Sequence, residues 1–172
     1  MLFTDSLGSG GAQRQLIGLA VLLKNNGYEV KVCTYHDIDF YKCYLDDNQV
    51  KNELIPNATD VKKRIWNVFK YFKGESPHYV IAYQETPSLI ACICKILGCK
   101  YRLIVSERNT TQYIGFKEKI RFFLYRWANS IVPNSKSQEK LLLSYDSRLR
   151  NKITTISNFV DLNKFSPSYK KK

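Results

Sequence analysis

Apolar positions along the chain alternate between two spacings, and each change of spacing marks an element boundary. The run Leu2–Thr4 predicts a short first strand. Ala12, Leu16, Leu19, Ala20 and Leu23 then recur every three or four residues, the period of a helix with one buried face. Gly27 stands where the end of that helix calls for a left-handed residue. Over residues 28–35, Tyr28, Val30, Val32 and Thr34 alternate with Glu29, Lys31 and Cys33, which predicts a strand. The succession then repeats. "QVKNELIP" (49–56) reads as a strand and "DVKKRIWNVFKYFKG" (60–74) as a basic amphipathic helix closed by Gly74. "HYVIAY" (78–83) reads as a buried strand. "TPSLIACICKILG" (86–98) reads as a helix, with Thr86 as cap, Pro87 first inside and Gly98 just after the end. "YRLIVSE" (101–107) is the next strand and "GFKEKIRFFLYRWA" (115–128) the next helix. "SIVPNS" (130–135) leads into the helix "KSQEKLLLSY" (136–145), and "KITTISN" (152–158) reads as a final strand.

Seven strands in alternation with five or six helices imply an α/β fold, a Rossmann-like doubly wound parallel sheet. Ligands of such sheets bind beyond the carboxyl ends of the strands. That rule gathers "SLGSGGAQR" (6–14), "YQET" (83–86), "SERNTTQY" (106–113) and "VPNS" (132–135) along one edge. Residues 1–157 form the expected domain. Residues 158–172 lose the periodicity and read as the start of a linker.

Composition narrows the partners. The 172 residues suit one domain, and no apolar run approaches the roughly 18 residues of a membrane span. "MLFTDS" lacks the basic start of a signal peptide, so a cytoplasmic location is expected. The five cysteines have no framework spacing. Cys92 and Cys94 fall two apart on a predicted helix, about 200° around it, and so cannot share a metal ion; reduced, buried thiols are expected. The net charge of +12 favours polyanions: nucleic acid, anionic lipid or a phosphorylated substrate. No helix-turn-helix, RNA-binding aromatic signature or zinc module supports the first. The helices at 60–74 and 115–128 interleave Lys and Arg with Trp, Tyr and Phe. On the second, Phe116, Ile120, Phe123, Leu124 and Trp127 take core-facing spacing, with Lys117, Lys119, Arg121 and Arg126 on a wet basic face. Such helices also suit an anionic membrane surface.

The chemistry concentrates in the glycine turn. A dinucleotide fingerprint would place a third glycine at position 13, where Gln13 stands, and an acidic residue after "VCTY", where His36 stands. A P-loop is excluded because no Gly-Lys-Ser/Thr follows. Two readings remain: a tight turn that needs positive φ, or a helix N-terminus whose bare N–H groups and dipole attract a phosphate. His36 and His78 form no acid–base constellation, and Glu85 and Glu107 at strand ends lack the setting of a paired-carboxylate hydrolase.

"SLGSGGAQRQLIGLAVLLKNNGYEVKVCTY", "VSERN" (105–109), "IVPNSKSQ" (131–138) and "ISNFVDLNKFSP" (156–167) occur in the order found in family-4 retaining glycosyltransferases, which this chain resembles over its whole length. Phe159 departs from the family's usual glycine. The resemblance implies the N-terminal, acceptor-side half of a two-domain GT-B enzyme. Such an enzyme moves a sugar from a nucleotide-sugar donor to a glycan or lipid-linked acceptor in polysaccharide biosynthesis. The donor-binding half, with its Glu-x7-Glu motif, is not in these residues, and the half present is expected to be inactive alone. Carried over residue by residue, Ser9, Gly10 and Gly11 form the donor-phosphate loop. Gln13, Arg14, Gln84, Glu85, Glu107, Arg108 and Asn109 line the acceptor side, and Asn134 and Ser135 complete the cleft. Glu107 and Arg108 could equally brace their own loop, and Ser135 could simply cap its helix. The family implies no catalytic residue in this half, no cofactor and no essential metal. It implies a peripheral place at the inner face of the cell membrane. The alternative is a non-catalytic Rossmann-like module that binds an anionic ligand.

Overall fold

The computed structural model describes residues 1–56, 59–108 and 114–160. Six parallel strands form one sheet: β1 (Leu2–Phe3), β2 (Lys31–Thr34), β3 (Lys51–Leu54), β4 (Tyr79–Tyr83), β5 (Arg102–Glu107) and β6 (Ser130–Pro133), in the order β3-β2-β1-β4-β5-β6. Five helices connect them, α1 (Gly11–Asn25), α2 (Lys42–Asp47), α3 (Val61–Glu75), α4 (Glu85–Ile96) and α5 (Phe116–Leu124), and α6 (Lys136–Tyr145) follows β6. Right-handed crossovers running one way from β1 and the other way from β3 place helices on both faces. One core accordingly joins Leu16, Ile17, Ala20 and Leu45 of α1 and α2 to Leu2 and Val32. The other joins Val68, Phe72, Ile90, Phe122 and Leu142 of α3 to α6 to Phe3, Val80 and Leu103.

The sheet has six strands rather than seven. Residues 153–156 do run beside β6, with the Thr154 and Ile156 N–H groups donating to Ile131 O and Pro133 O at 3.0 Å each. Only an isolated Ile131–Ile153 bridge forms, because this edge segment carries polar residues on both sides and buries little. Several boundaries also differ, three of them for a visible local reason. The second strand starts at Lys31, since Tyr28 and Glu29 lie exposed in the turn. Helix α3 runs through Gly74 to Glu75, and Ser76 takes the left-handed cap (φ 45°). Helix α4 starts at Glu85 with Gln84 as N-cap, so Thr86 is already inside it and Pro87 sits two residues deeper than expected, still in the first turn, where its missing N–H is harmless. Gly27 and Gly98 do take positive φ after their helices.

Helix α5 is turned over relative to its apparent amphipathicity. Phe116 is 78% exposed, and Ile120, Phe123 and Trp127 also face outward, while Leu124 of the same stripe packs against the core as expected. Arg121, which the pattern assigns to the wet face, is 3% exposed and points at the sheet with Phe122 and Tyr125. The reason is Glu107 at the end of β5, which is buried and draws a cation and a hydroxyl inward.

Cys33, Cys92, Cys94 and Cys99 are buried free thiols, and Cys43 is an exposed one. Burial pushes Cys33, Cys92 and Cys94 up to about 12. The native chain is therefore expected to give one adduct with a thiol reagent at neutral pH, at Cys43, and five after unfolding; mass spectrometry of the adducts checks this.

Candidate functional site

Strand order reverses between β1 and β4, so the crevice of this sheet lies above their carboxyl ends. Thr4, fully buried at the end of β1, donates its hydroxyl to Gln84 Oε1 across that reversal at 2.8 Å. Asp5 Oδ1 accepts from Ser6 Oγ at 3.2 Å and Gln13 Nε2 at 3.1 Å, which ties the glycine turn to the first turn of α1. Gln13 is thus held inward.

Gly10 is the extended N-cap of α1, with φ −69°, and Gly11 is the first helical residue. Among the described residues only Gly27 and Gly98 are glycines with positive φ, so a left-handed turn does not explain the glycines at 8, 10 and 11. At Gly10 any side chain would strike the Gln13 carboxamide folded over it. Around Gly11 there is open space, so its bare backbone faces solvent rather than protein. No side chain caps α1 and its first turn carries no acid. In contrast, Asp60 caps α3 by accepting the Lys63 N–H at 2.8 Å, and Ser135 caps α6 by accepting that of Gln138 at 3.3 Å. Among the described residues, neither a side-chain cap nor an acid in the first turn offsets the positive end of the α1 dipole.

Gln84 holds φ 71° and ψ 170°, a conformation native to glycine that costs on the order of 1–3 kcal/mol for other residues. The Thr4 hydroxyl and the Ser88 N–H, which donates to Gln84 O at 3.2 Å, fix it there. The kink aims Glu85 at Arg121 Nη1, 2.5 Å away. Arg121 Nε lies 3.7 Å from Glu107 Oε1, which also accepts the Tyr125 hydroxyl, while Glu107 Oε2 has no hydrogen-bond partner among the described residues. Burial raises the Glu107 carboxyl above the usual range, with Arg121 and then Tyr125 opposing it. Glu107 thus braces β5 to α5 beneath the loop.

Arg108 leaves β5 on the opposite side. Its Nε donates to Ser106 Oγ at 2.7 Å, its Nη1 to Asn158 Oδ1 at 3.0 Å, and its guanidinium lies 5.0 Å from the centre of the Tyr83 ring. Asn134 Nδ2 donates to Arg108 O at 3.2 Å, which joins the fourth loop to the third. Arg14 is exposed on α1. Asn109 lies outside the described residues. The expected residues thus gather on one edge as a glycine turn, a strained Gln84 and an Arg108–Asn134 corner. At the amino ends of the strands, a cavity of about 750 Å³ is lined by Tyr28, Lys31, His78 and Tyr79, far from these groups.

Residues 9–164, from the glycine turn onward, match the model of Glycosyltransferase Family 4. The chain belongs to glycosyltransferase family 4. A Campylobacter jejuni α-1,4-N-acetyl-D-galactosaminyltransferase, named for a GalNAc-GalNAc-diNAcBac-PP-undecaprenol substrate, is 32% identical over 131 residues, 70% of this chain and 34% of its own length. A second from that organism, an N-acetylgalactosamine-N,N'-diacetylbacillosaminyl-diphospho-undecaprenol 4-α-N-acetylgalactosaminyltransferase, is 27% identical over 94% of this chain and 48% of its own. The chain therefore spans between a third and a half of these curated relatives. The crystal structure of Anabaena Alr3699/HepE in complex with UDP-glucose shares the fold, with a TM-score of 0.77 at 18% identity, over 97% of this chain and 46% of that one. The family-4 chain described here thus has the α/β architecture of one GT-B half.

Sequence reasoning missed Arg121 and Tyr125 as members of this edge. The available signal was only their i, i+4 spacing, which puts a cation and a hydroxyl on one helix face.

Proposed function

We propose that this chain is the N-terminal, acceptor-side half of a retaining glycosyltransferase. It serves transfer of a sugar from a nucleotide sugar to a glycan carried on a lipid diphosphate at an anionic membrane surface. The observation that carries this reading is the uncapped, acid-free start of α1 at the strand-order reversal of a family-4 chain. There the backbone N–H groups of Ser9, Gly10 and Gly11 stabilise a diphosphate, and the charge that develops on it as a leaving group. Gln84, Glu85, Arg108 and Asn134 shape the acceptor side around it. The relatives named for undecaprenol-linked substrates and the neighbour that holds UDP-glucose support these two partners.

The membrane part rests on the outer face of α3 and α5. Among the described residues no helix is long and apolar enough to cross a membrane. Trp66 stacks on Phe69 with ring centres 5.3 Å apart, and Lys70 and Lys73 lie over those rings. On α5 and the 3-10 turn that follows it (Tyr125–Trp127), the exposed Phe116, Ile120, Phe123 and Trp127 are flanked by Lys117, Lys119 and Arg126. Rings at this depth enter the lipid interface and each cation adds about 1 kcal/mol against anionic headgroups.

Nanodiscs containing a polyprenyl diphosphate test the acceptor reading against discs containing the matching polyprenol. Diphosphate discs are expected to bind at least about tenfold more tightly, the scale of a few charge-assisted hydrogen bonds. Equal binding to both contradicts the lipid-diphosphate acceptor.

A further inference from the structure

After β6 and α6 the chain does not simply leave the domain. It returns along the carboxyl edge of the sheet and is gripped at two points. At the first, Arg108 Nη1 donates to Ile156 O at 3.3 Å and to Asn158 Oδ1 at 3.0 Å. At the second, Gln15, buried in the second turn of α1, takes hold of a single peptide unit from both sides. Its Nε2 donates to Phe159 O, and its Oε1 accepts the Phe159 N–H, both at 2.9 Å.

The Phe159 ring then lies on Gly18, three residues further along the same face of α1. A methyl group at Gly18 would stand 2.7 Å from Cε1 of the ring and closer still to Cζ. Gly18 lies inside the helix and is not among the glycines with positive φ, so its conformation does not call for glycine. A glycine inside a helix is a poor choice on propensity. Here the ring supplies the reason.

We propose that residues 156–159 form a clasp, in which Gln15 reads the Phe159 backbone, Gly18 receives its ring and Arg108 holds the approach. The clasp fixes the departing chain to α1, the helix whose uncapped start is the glycine turn. Whatever is attached beyond Val160 is thereby oriented against that turn, whichever ligand the turn takes. Gln15, Gly18 and Phe159 act as positioning residues and touch no ligand themselves.

Two measurements on the 172-residue chain test this. In thermal unfolding, Gly18→Ala is expected to lower the Tm when Phe159 is present, because the methyl expels the ring. In a Phe159→Gly background the same substitution is expected to raise the Tm, because alanine is the better helix former. A rise in both backgrounds would overturn the ring-on-glycine contact. In hydrogen exchange, the Phe159 amide is expected to be slowed at least about tenfold, and Gln15→Ala should release it. Gln15→Ala should also speed exchange at the Arg14 amide, which donates to Gly10 O at 3.0 Å, while leaving β5 unchanged. A Phe159 amide that exchanges at the unprotected rate in the parent chain would overturn the clasp. Unaltered exchange at Arg14 would overturn its coupling to the turn.

Discussion

Arg121→Leu is expected to destabilise the fold by about 3–5 kcal/mol, measured by urea unfolding at pH 7, because it leaves a buried carboxylate without its cation. Glu107 is 2% exposed, and among the described residues its Oε2 already lacks a hydrogen-bond partner and Tyr125 alone would remain on Oε1. Glu85 would lose its partner as well, but it is half exposed and water replaces the loss. The loss should depend on pH in a definite sense. Burial already raises the Glu107 carboxyl above its ordinary 4.5 in the folded chain, and removal of Arg121 raises it further. The folded state then binds a proton that the unfolded state releases, so stability falls as pH rises from about 4.5. The variant should accordingly be more stable at pH 5 than at pH 8. The triple variant Arg121→Leu/Glu107→Leu/Tyr125→Phe should recover most of the loss, since it orphans no hydroxyl and an apolar cluster often replaces a buried ion pair without penalty. No recovery would mean that the arginine acts through packing rather than through Glu107.

The second large effect concerns the outer face of α5. Phe123→Ser combined with Trp127→Ser is expected to weaken sedimentation with anionic vesicles by about 30- to 100-fold. That corresponds to about 2–3 kcal/mol for two rings already partly covered by the protein. The rings stand in T-shaped contact at 5.4 Å and both are about 40% exposed, so the fold should tolerate the change. Lys117→Glu with Lys119→Glu should weaken binding less, and that effect should disappear at high salt. Undiminished sedimentation of the aromatic variant would remove α5 from the membrane face.

Much of the architecture was legible in the sequence because hydrophobic period reports burial directly. The alternation of Val30 and Val32 with charged neighbours, the apolar runs of β4 and β5, and the glycines at 27 and 98 each carry one local physical meaning. Failures arose where tertiary demand overrode the local pattern. In α5 the stripe Phe116, Ile120, Phe123 and Trp127 satisfies helical amphipathicity, yet Glu107 on another element decides which face turns inward. The start of α4 moved from Thr86 to Gln84 because a hydroxyl on β1 stabilises a backbone shape that glutamine rarely adopts unaided. In the candidate site, the glycine turn was visible as a motif, and its lack of a cap became visible only in three dimensions. Phe159 stood out only as a departure from the family pattern; its seat on Gly18 joins residues 141 positions apart, beyond any periodicity.

The central claim is that ligand binds along the carboxyl edge of the sheet, around the uncapped start of α1. Backbone amide shifts of the isotope-labelled 172-residue chain, titrated with polyprenyl diphosphate in anionic nanodiscs and compared with polyprenol discs, test it most directly. The diphosphate-specific changes are expected at Gln13, Arg14, Gln84, Glu85, Arg108 and Asn134, the acceptor side flanking the start of α1. Changes confined to the opposite edge, around Tyr28, Lys31 and His78, would contradict it.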